Sequence, residues 1–168
     1  MNFDTYRLNS FVGDKYLGNP AGVCIVDFWP GDAELMQSAA TNGTPETAFL
    51  TRIEGRWHIR WFTCCSEVDL CGHATLAAGH VLFNILGCPA DSIELCSGCG
   101  PLAVAINRSN NMITLDFPRR PSRPIECPKL LSQALNIAPR QVYAGVDYMA
   151  VYSSQEQILA VEPEIKLL

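Results

Sequence analysis

Residues 67–83 read EVDLCGHATLAAGHVLF, and they combine a short extended segment with a helix that is apolar on nearly every side. A helix without a polar face is stable only when other elements surround it, so the sequence predicts a buried helix over residues 73–86. Gly87, followed by Cys88 and Pro89, is typical of a helix end. This helix should therefore lie at the centre of the fold.

Short β-type segments dominate the sequence on both sides of this helix. Most of them are closed by turn residues, as expected for a roll or barrel. The predicted strands cover residues 5–11, 22–28, 47–52, 57–63, 93–95, 102–107 and 112–117. A second helix is predicted over residues 30–40, where acidic residues suit the first turn. The predicted fold class is α+β: a β-roll or barrel of short strands around a central apolar helix.

A proline-rich segment divides the chain. Four prolines lie within residues 118–128, and this density indicates an extended linker without regular hydrogen bonding. We therefore expect one domain over residues 1–118 and a linker over residues 119–128. Residues 129–168 contain helix- and strand-like segments but are too few for an independent core.

The composition excludes several classes of function. The 168 residues carry 12 basic and 17 acidic side chains, a formal charge of −5, and no long basic run. These features argue against nucleic-acid binding and against binding to an anionic membrane surface. No secretory signal or membrane span is visible, and eight cysteines are too few for a disulfide scaffold. We expect a cytoplasmic protein with reduced thiols, and small neutral or anionic substrates remain open.

Three short motifs contain residues that could bind a substrate or move protons. Gly72 and His73 open the apolar helix, where free backbone N–H groups can hold an anion and an imidazole can exchange a proton. Glu46 lies between a turn and an apolar strand, where partial burial favours a general base. Asn19, in the sequence GNPAGVC, either fixes a turn or binds substrate, and the turn role is favoured. His73 could equally be a packed or capping residue, and for Glu46 the motif alone favours a solvated residue at the entrance of a strand.

The cysteines suggest a competing metal site. Cys96 and Cys99 form a CxxC pair that fits half of a structural zinc site. The adjacent cysteines Cys64 and Cys65 do not supply the second half, because their spacing is not the one that such sites use. We therefore predict no metal and interpret most of these thiols as small buried apolar groups.

Taken together and in order, the motifs GNPAGVC, PETAFL, RWFT and EVDLCGHATLAAGHVLF resemble the N-terminal half of the PhzF-like phenazine-biosynthesis isomerase family. This family shares its fold with diaminopimelate epimerase. The resemblance runs from about residue 3 to residue 118 and continues more loosely through residues 148–152. It implies two similar α+β lobes, each a roll or barrel around a central helix, with the active site in the cleft between them.

The resemblance also implies roles for individual residues. Glu46 is similar to the family's catalytic glutamate, an acid/base that moves a proton between carbon atoms of a cyclic carboxylate without a cofactor. Gly72 and His73 resemble the family's GH motif, with His73 assisting proton transfer and Gly72 helping to bind the substrate carboxylate. Asn19 resembles the asparagine at the edge of the cleft, and Cys71 is a further substrate-binding candidate.

Some features depart from the family pattern. Thr44 and Pro45 precede the glutamate where relatives usually have Leu and Ser, and Cys64 and Cys65 occupy a stretch where relatives often have proline. The second lobe is expected to be truncated, with residues 129–168 as its incomplete start. We therefore expect little isomerase activity from this chain alone, unless another chain completes the site.

Two other functions remain open. The chain could be a nonenzymatic binding protein that self-associates through strand edges, and a homo-oligomer, most simply a dimer, is expected in either case. Alternatively, Cys71 could act as an epimerase thiol, because it directly precedes Gly72 as in diaminopimelate epimerase. That mechanism needs a second thiol from the other lobe.

Overall fold

The computed structural model describes residues 3–168 and divides into two compact units, Met1–Pro118 and Arg119–Leu168. The strands of the first unit are β1 (Asp4–Ser10), β2 (Asn19–Ile25), β3 (Glu46–Ile53), β4 (Arg56–Phe62), β5 (Glu67–Val68), β6 (Ser92–Ser97), β7 (Gly100–Asn107) and β8 (Met112–Asp116). Its α-helices are α1 (Asp32–Asn42) and α2 (Gly72–His80). Among the described residues no helix is long and apolar enough to cross a membrane.

The strands of the first unit form one curled sheet. The order is β1-β2-β3-β4-β6-β7-β8, and β5 pairs with β4 outside this path. The pairs β2–β3 and β4–β6 are parallel, whereas the other pairs are antiparallel. Helix α2 contacts β1, β2, β3, β7 and β8, so the sheet curls around it. The α+β roll around a central apolar helix is thus confirmed.

Alternating side chains give the sheet two buried faces. Leu50 and Trp61 pack with Ala78 of α2 in the main core, whereas Phe49 and Phe62 pack with α1 in a smaller second core. All of these side chains are almost completely buried. Strands β3 and β4 are thus covered on both faces, by α2 on one face and by α1 on the other, and this packing fixes the positions of both helices.

The central helix differs in detail from the prediction. Residues 73–86 were expected to form one helix, but α2 ends at His80 and Val81–Ile85 forms a wider π-helical turn. The Leu86 N–H donates to the Val81 carbonyl in this turn, and Gly87 follows with a φ of 67°. A left-handed glycine ends the helix because glycine has no Cβ to clash in that conformation.

The second unit is small. Its elements are β9 (Arg123–Ile125), α3 (Lys129–Ala134), β10 (Gln141–Ala144), β11 (Tyr148–Val151), α4 (Gln155–Leu159) and a 3₁₀ turn (Ile165–Leu167). The three strands form a sheet in the order β11-β10-β9. Only Ala134 and Val142 are buried apolar residues in the described part of this unit.

One feature of the proline-rich segment differs from the expected linker. Residues 123–125 pair with β10 instead of lacking regular hydrogen bonds. Pro124 is tolerated there because β9 is an edge strand, where a missing N–H need not leave a neighbour unpaired.

Candidate active site

Glu46 is the first residue of β3. Helix α1 ends at Asn42, Gly43 follows it with a φ of 63°, and the chain turns back through Thr44 and Pro45 into the strand. The Thr44 hydroxyl donates to the Glu46 carbonyl at 3.0 Å, so this threonine stabilises the turn. The Glu46 side chain remains 27% exposed, which leaves its carboxylate accessible at the end of a buried strand.

His73 is the second residue of α2, and its position is fixed by neighbouring strands. The Ser10 hydroxyl of β1 donates to the His73 carbonyl at 2.7 Å. Four residues after Cys71, the Thr75 hydroxyl donates to the Cys71 carbonyl at 2.6 Å and accepts from the Trp61 indole N–H at 3.1 Å. These bonds fix the start of α2 to β1 and β4.

The fold brings Glu46 and His73 together. Glu46 Oε2 lies 3.4 Å from His73 Nε2, and the histidine side chain is only 11% exposed. The Nε2 atom is buried without a hydrogen-bond partner of good geometry. A buried polar atom without a hydrogen-bond partner costs free energy, so the Glu46 carboxylate, the only charged group that the described residues place within 4 Å of Nε2, matters for the protonation of this imidazole.

Cys71 occupies the other side of the imidazole. Its Sγ lies 3.4 Å from His73 Nδ1. Burial raises the pKa of the Cys71 thiol to about 11, the nearby Glu46 charge acts in the same direction, and a hydrogen bond from the Ala74 backbone N–H acts against it. The thiol is therefore protonated near neutral pH and can donate to Nδ1. A thiol that donates to Nδ1 is compatible with a neutral imidazole whose N–H is at Nε2, the atom that faces Glu46.

The other two candidates lie near this cluster. Gly72 is the first residue of α2, and a Cβ added there would meet Phe117 at an ordinary 3.7 Å. Packing alone does not require glycine at this position, and space remains beside the helix start. Asn19 is exposed and begins β2, where it pairs with Ser10, the residue that binds the His73 carbonyl.

The structure also bears on the zinc alternative. Among residues 3–168, the His, Cys, Asp and Glu ligand atoms that converge belong to Glu46, Cys71 and His73 and lie within 4.8 Å of one another. Cys96 and Cys99 are not part of this group. A metal at the Glu46–Cys71–His73 cluster would have to displace a strongly held thiol proton, because thiols bind metals as thiolates.

Sequence reasoning did not identify Ser10, Thr75 or Trp61 as supports of the site. Their side chains act on the start of α2 from strands or from one turn further along the helix. No spacing in the sequence indicates these contacts, because each depends on the registration of a strand against the helix.

Comparisons with known proteins give a consistent result. The family model described as phenazine biosynthesis-like protein matches residues 8–165. An uncharacterised isomerase of Pseudomonas aeruginosa is 39% identical over 170 residues, which cover all of this chain and 64% of the relative.

Solved structures agree with this match. A PhzF-family phenazine biosynthesis protein from Enterococcus faecalis is 32% identical with a TM-score of 0.85, over 100% of this chain and 64% of that one. A putative PhzC/PhzF protein from Clostridium difficile is 31% identical with a TM-score of 0.82, over 99% and 63%. The chain thus spans slightly less than two thirds of the length of these relatives.

Proposed function

Because the chain belongs to the PhzF-like phenazine-biosynthesis family, we propose that it is an isomerase that moves a proton between carbon atoms of a small cyclic carboxylate without a cofactor. The observation that carries this proposal is the distance of 3.4 Å between Glu46 and His73 at the start of a buried helix. A carboxylate beside an imidazole provides two groups that can hold and transfer a proton.

Glu46 acts as the general acid/base. Its carboxylate accepts a proton from one substrate carbon and returns it to another, so no net proton is consumed. His73 Nε2 lies 3.4 Å from the carboxylate and has no hydrogen-bond partner of good geometry, so an N–H there is free to donate to a substrate oxygen on which negative charge develops. The partial exposure of Glu46 allows the substrate to reach it.

The start of α2 binds the substrate carboxylate. The Thr75 N–H donates to the Cys71 carbonyl, and the Ala74 N–H reaches the Cys71 thiol. The N–H groups of Gly72 and His73 precede these in the helix and are left for an anion. The positive end of the helix dipole adds to their attraction for a carboxylate.

The Cys71-dependent epimerase is the alternative. A thiol acts as a base only as a thiolate, and the raised pKa of Cys71 keeps it protonated near neutral pH. The buried thiol therefore suits a hydrogen-bond donor to His73 better than a base. Cys71→Ser keeps a hydrogen-bond donor beside His73 but replaces the thiol by a much weaker acid, so loss of activity in this variant would favour the thiol mechanism.

The experiment is solvent-hydrogen exchange into a substrate carbon. The 168-residue chain is incubated in deuterated buffer with a dihydro-hydroxyanthranilate at enzyme concentrations high enough that one exchange per site is detectable by mass spectrometry. We expect exchange above the buffer rate, and a loss of at least about 100-fold in Glu46→Gln, since general acid/base groups typically contribute about 10²–10⁴-fold.

A matched control is Glu94→Gln. Glu94 lies on β6 in an exposed ion pair with Arg56, so the substitution removes the same charge away from the site. It should leave the exchange rate unchanged. The proposal is contradicted if the wild-type chain exchanges hydrogen only at the buffer rate. It is also contradicted if the wild type and Glu46→Gln exchange at the same rate.

A further inference from the structure

Two adjacent cysteines lie in the turn between β4 and β5. Cys64 and Cys65 are both exposed and unbridged, and their sulfur atoms are 3.2 Å apart. Neither takes part in the Glu46–Cys71–His73 cluster. Two accessible thiols at this distance form a vicinal dithiol whose chemistry the proposed isomerase does not use.

The turn holds the two thiols in place. The Thr63 hydroxyl accepts hydrogen bonds from the Cys65 N–H at 3.1 Å and from the Ser66 N–H at 3.0 Å. The Thr63 N–H also donates to the Ser66 carbonyl at 2.9 Å. These bonds fix the backbone on both sides of the cysteines. A ligand that bridges the sulfurs therefore binds with little loss of backbone conformational entropy.

The backbone favours a bridging atom over a direct disulfide. Cα atoms of adjacent residues are about 3.8 Å apart across a trans peptide, whereas disulfides usually join Cα atoms about 4.4–6.8 Å apart. Closing a disulfide here would therefore strain the peptide that joins the two cysteines. A third atom held between the sulfurs leaves the turn as it is.

We propose that Cys64 and Cys65 form a bidentate binding site for thiophilic trivalent arsenicals. An organic arsenoxide has two exchangeable positions on arsenic, which match two thiols, whereas structural zinc requires four ligands. Each thiol gives up its proton and forms one S–As bond, the arsenoxide oxygen leaves as water with the two protons, and arsenic stays trivalent. No oxidant or reductant is required.

The site lies near the end of the sheet that carries Glu46. In the β3–β4 pairing Thr47 is opposite Phe62, so Glu46 and Thr63, which each lie one residue beyond this pair, are at the same edge of the sheet. The dithiol follows immediately after Thr63. The chelation itself depends only on the two sulfurs and is independent of any isomerase activity.

The test is titration of the fully reduced protein with phenylarsine oxide, followed by calorimetry and intact-mass measurement. We expect a 1:1 adduct, and a loss of affinity of about 10²–10⁴-fold in Cys64→Ser and in Cys65→Ser, since either change turns a two-point attachment into a single bond. The control is the double variant Cys96→Ser/Cys99→Ser, which removes the other closely spaced pair and should keep wild-type affinity.

A second measurement locates the arsenical without any substitution. Cleavage after Glu54 and Glu67 releases residues 55–67, whose only cysteines are Cys64 and Cys65. This peptide should carry the phenylarsenic mass. Three results would overturn the proposal. The first is wild-type affinity for the arsenical in either single variant, and the second is an adduct on a different peptide. The third is a reduced chain that binds no arsenical although glutathione disulfide converts the pair to a disulfide.

Discussion

The hydroxyl of Thr75 should contribute to the stability of the protein by connecting the central helix to the sheet. It accepts from the Trp61 indole N–H at 3.1 Å and donates to the Cys71 carbonyl at 2.6 Å. Trp61 is 1% exposed and Thr75 is completely buried, so water cannot replace either bond. The perturbation is Thr75→Val, which keeps the branched shape but removes the hydroxyl.

The expected loss of unfolding free energy follows from the removal of these two hydrogen bonds. The Cys71 carbonyl still accepts from the Thr75 backbone N–H at 3.1 Å, so losing the hydroxyl there costs about 1 kcal/mol. The Trp61 N–H is left buried without a partner, which costs about 1–3 kcal/mol. Helix propensities of valine and threonine are similar and do not change the balance. We expect Thr75→Val to lower the free energy of unfolding by about 2–4 kcal/mol.

Thr75→Ser is the matched control. Serine keeps both hydrogen bonds and loses one methyl group, at a cost of about 1 kcal/mol. In urea denaturation monitored by circular dichroism, the free energy of unfolding should therefore be highest for the wild type, lower for Thr75→Ser and lowest for Thr75→Val. If the valine variant is as stable as the serine variant, the hydroxyl does not hold the helix to the sheet in the way described.

Further predictions concern pH and packing around the same helix. The pKa of the Cys71 thiol is raised, so the unfolded chain loses the thiol proton near pH 9 and the native chain only near pH 11. The free energy of unfolding therefore falls between pH 9 and pH 11, by at most about 3 kcal/mol. Cys71→Ala should remove that fall in pH-dependent urea denaturation, whereas Cys88→Ala should keep it, and an unchanged slope in Cys71→Ala contradicts the assignment. Gly79→Ala places a methyl 2.7 Å from Cγ1 of the buried Val104, and the overpacking of about 1–3 kcal/mol should outweigh a helix-propensity gain of about 1 kcal/mol. The melting temperature should fall, and a higher one would show that Val104 moves aside freely.

Periodicity predicted most of the secondary structure because local patterns determine it. The apolar character of residues 73–86 placed a helix inside the fold, and the alternating segments placed the strands that surround it. The wider turn at Val81–Ile85 and the strand at residues 123–125 were not predicted. The wider turn depends on how the end of the central helix packs. The strand at residues 123–125 depends on pairing with β10, which lies 16 or more residues away along the chain.

The sequence by itself identified Glu46 and His73 as separate candidates, each with an ordinary alternative explanation. The tertiary structure alone decided that their side chains lie 3.4 Å apart, that the imidazole is almost buried, and that Cys71 contacts its other nitrogen. The reason is physical: motif and spacing describe neighbours along the chain, whereas the distance between these residues depends on the register of β3 and on the way Ser10, Trp61 and Thr75 fix the helix start. Those contacts form only when the sheet has curled around its central helix.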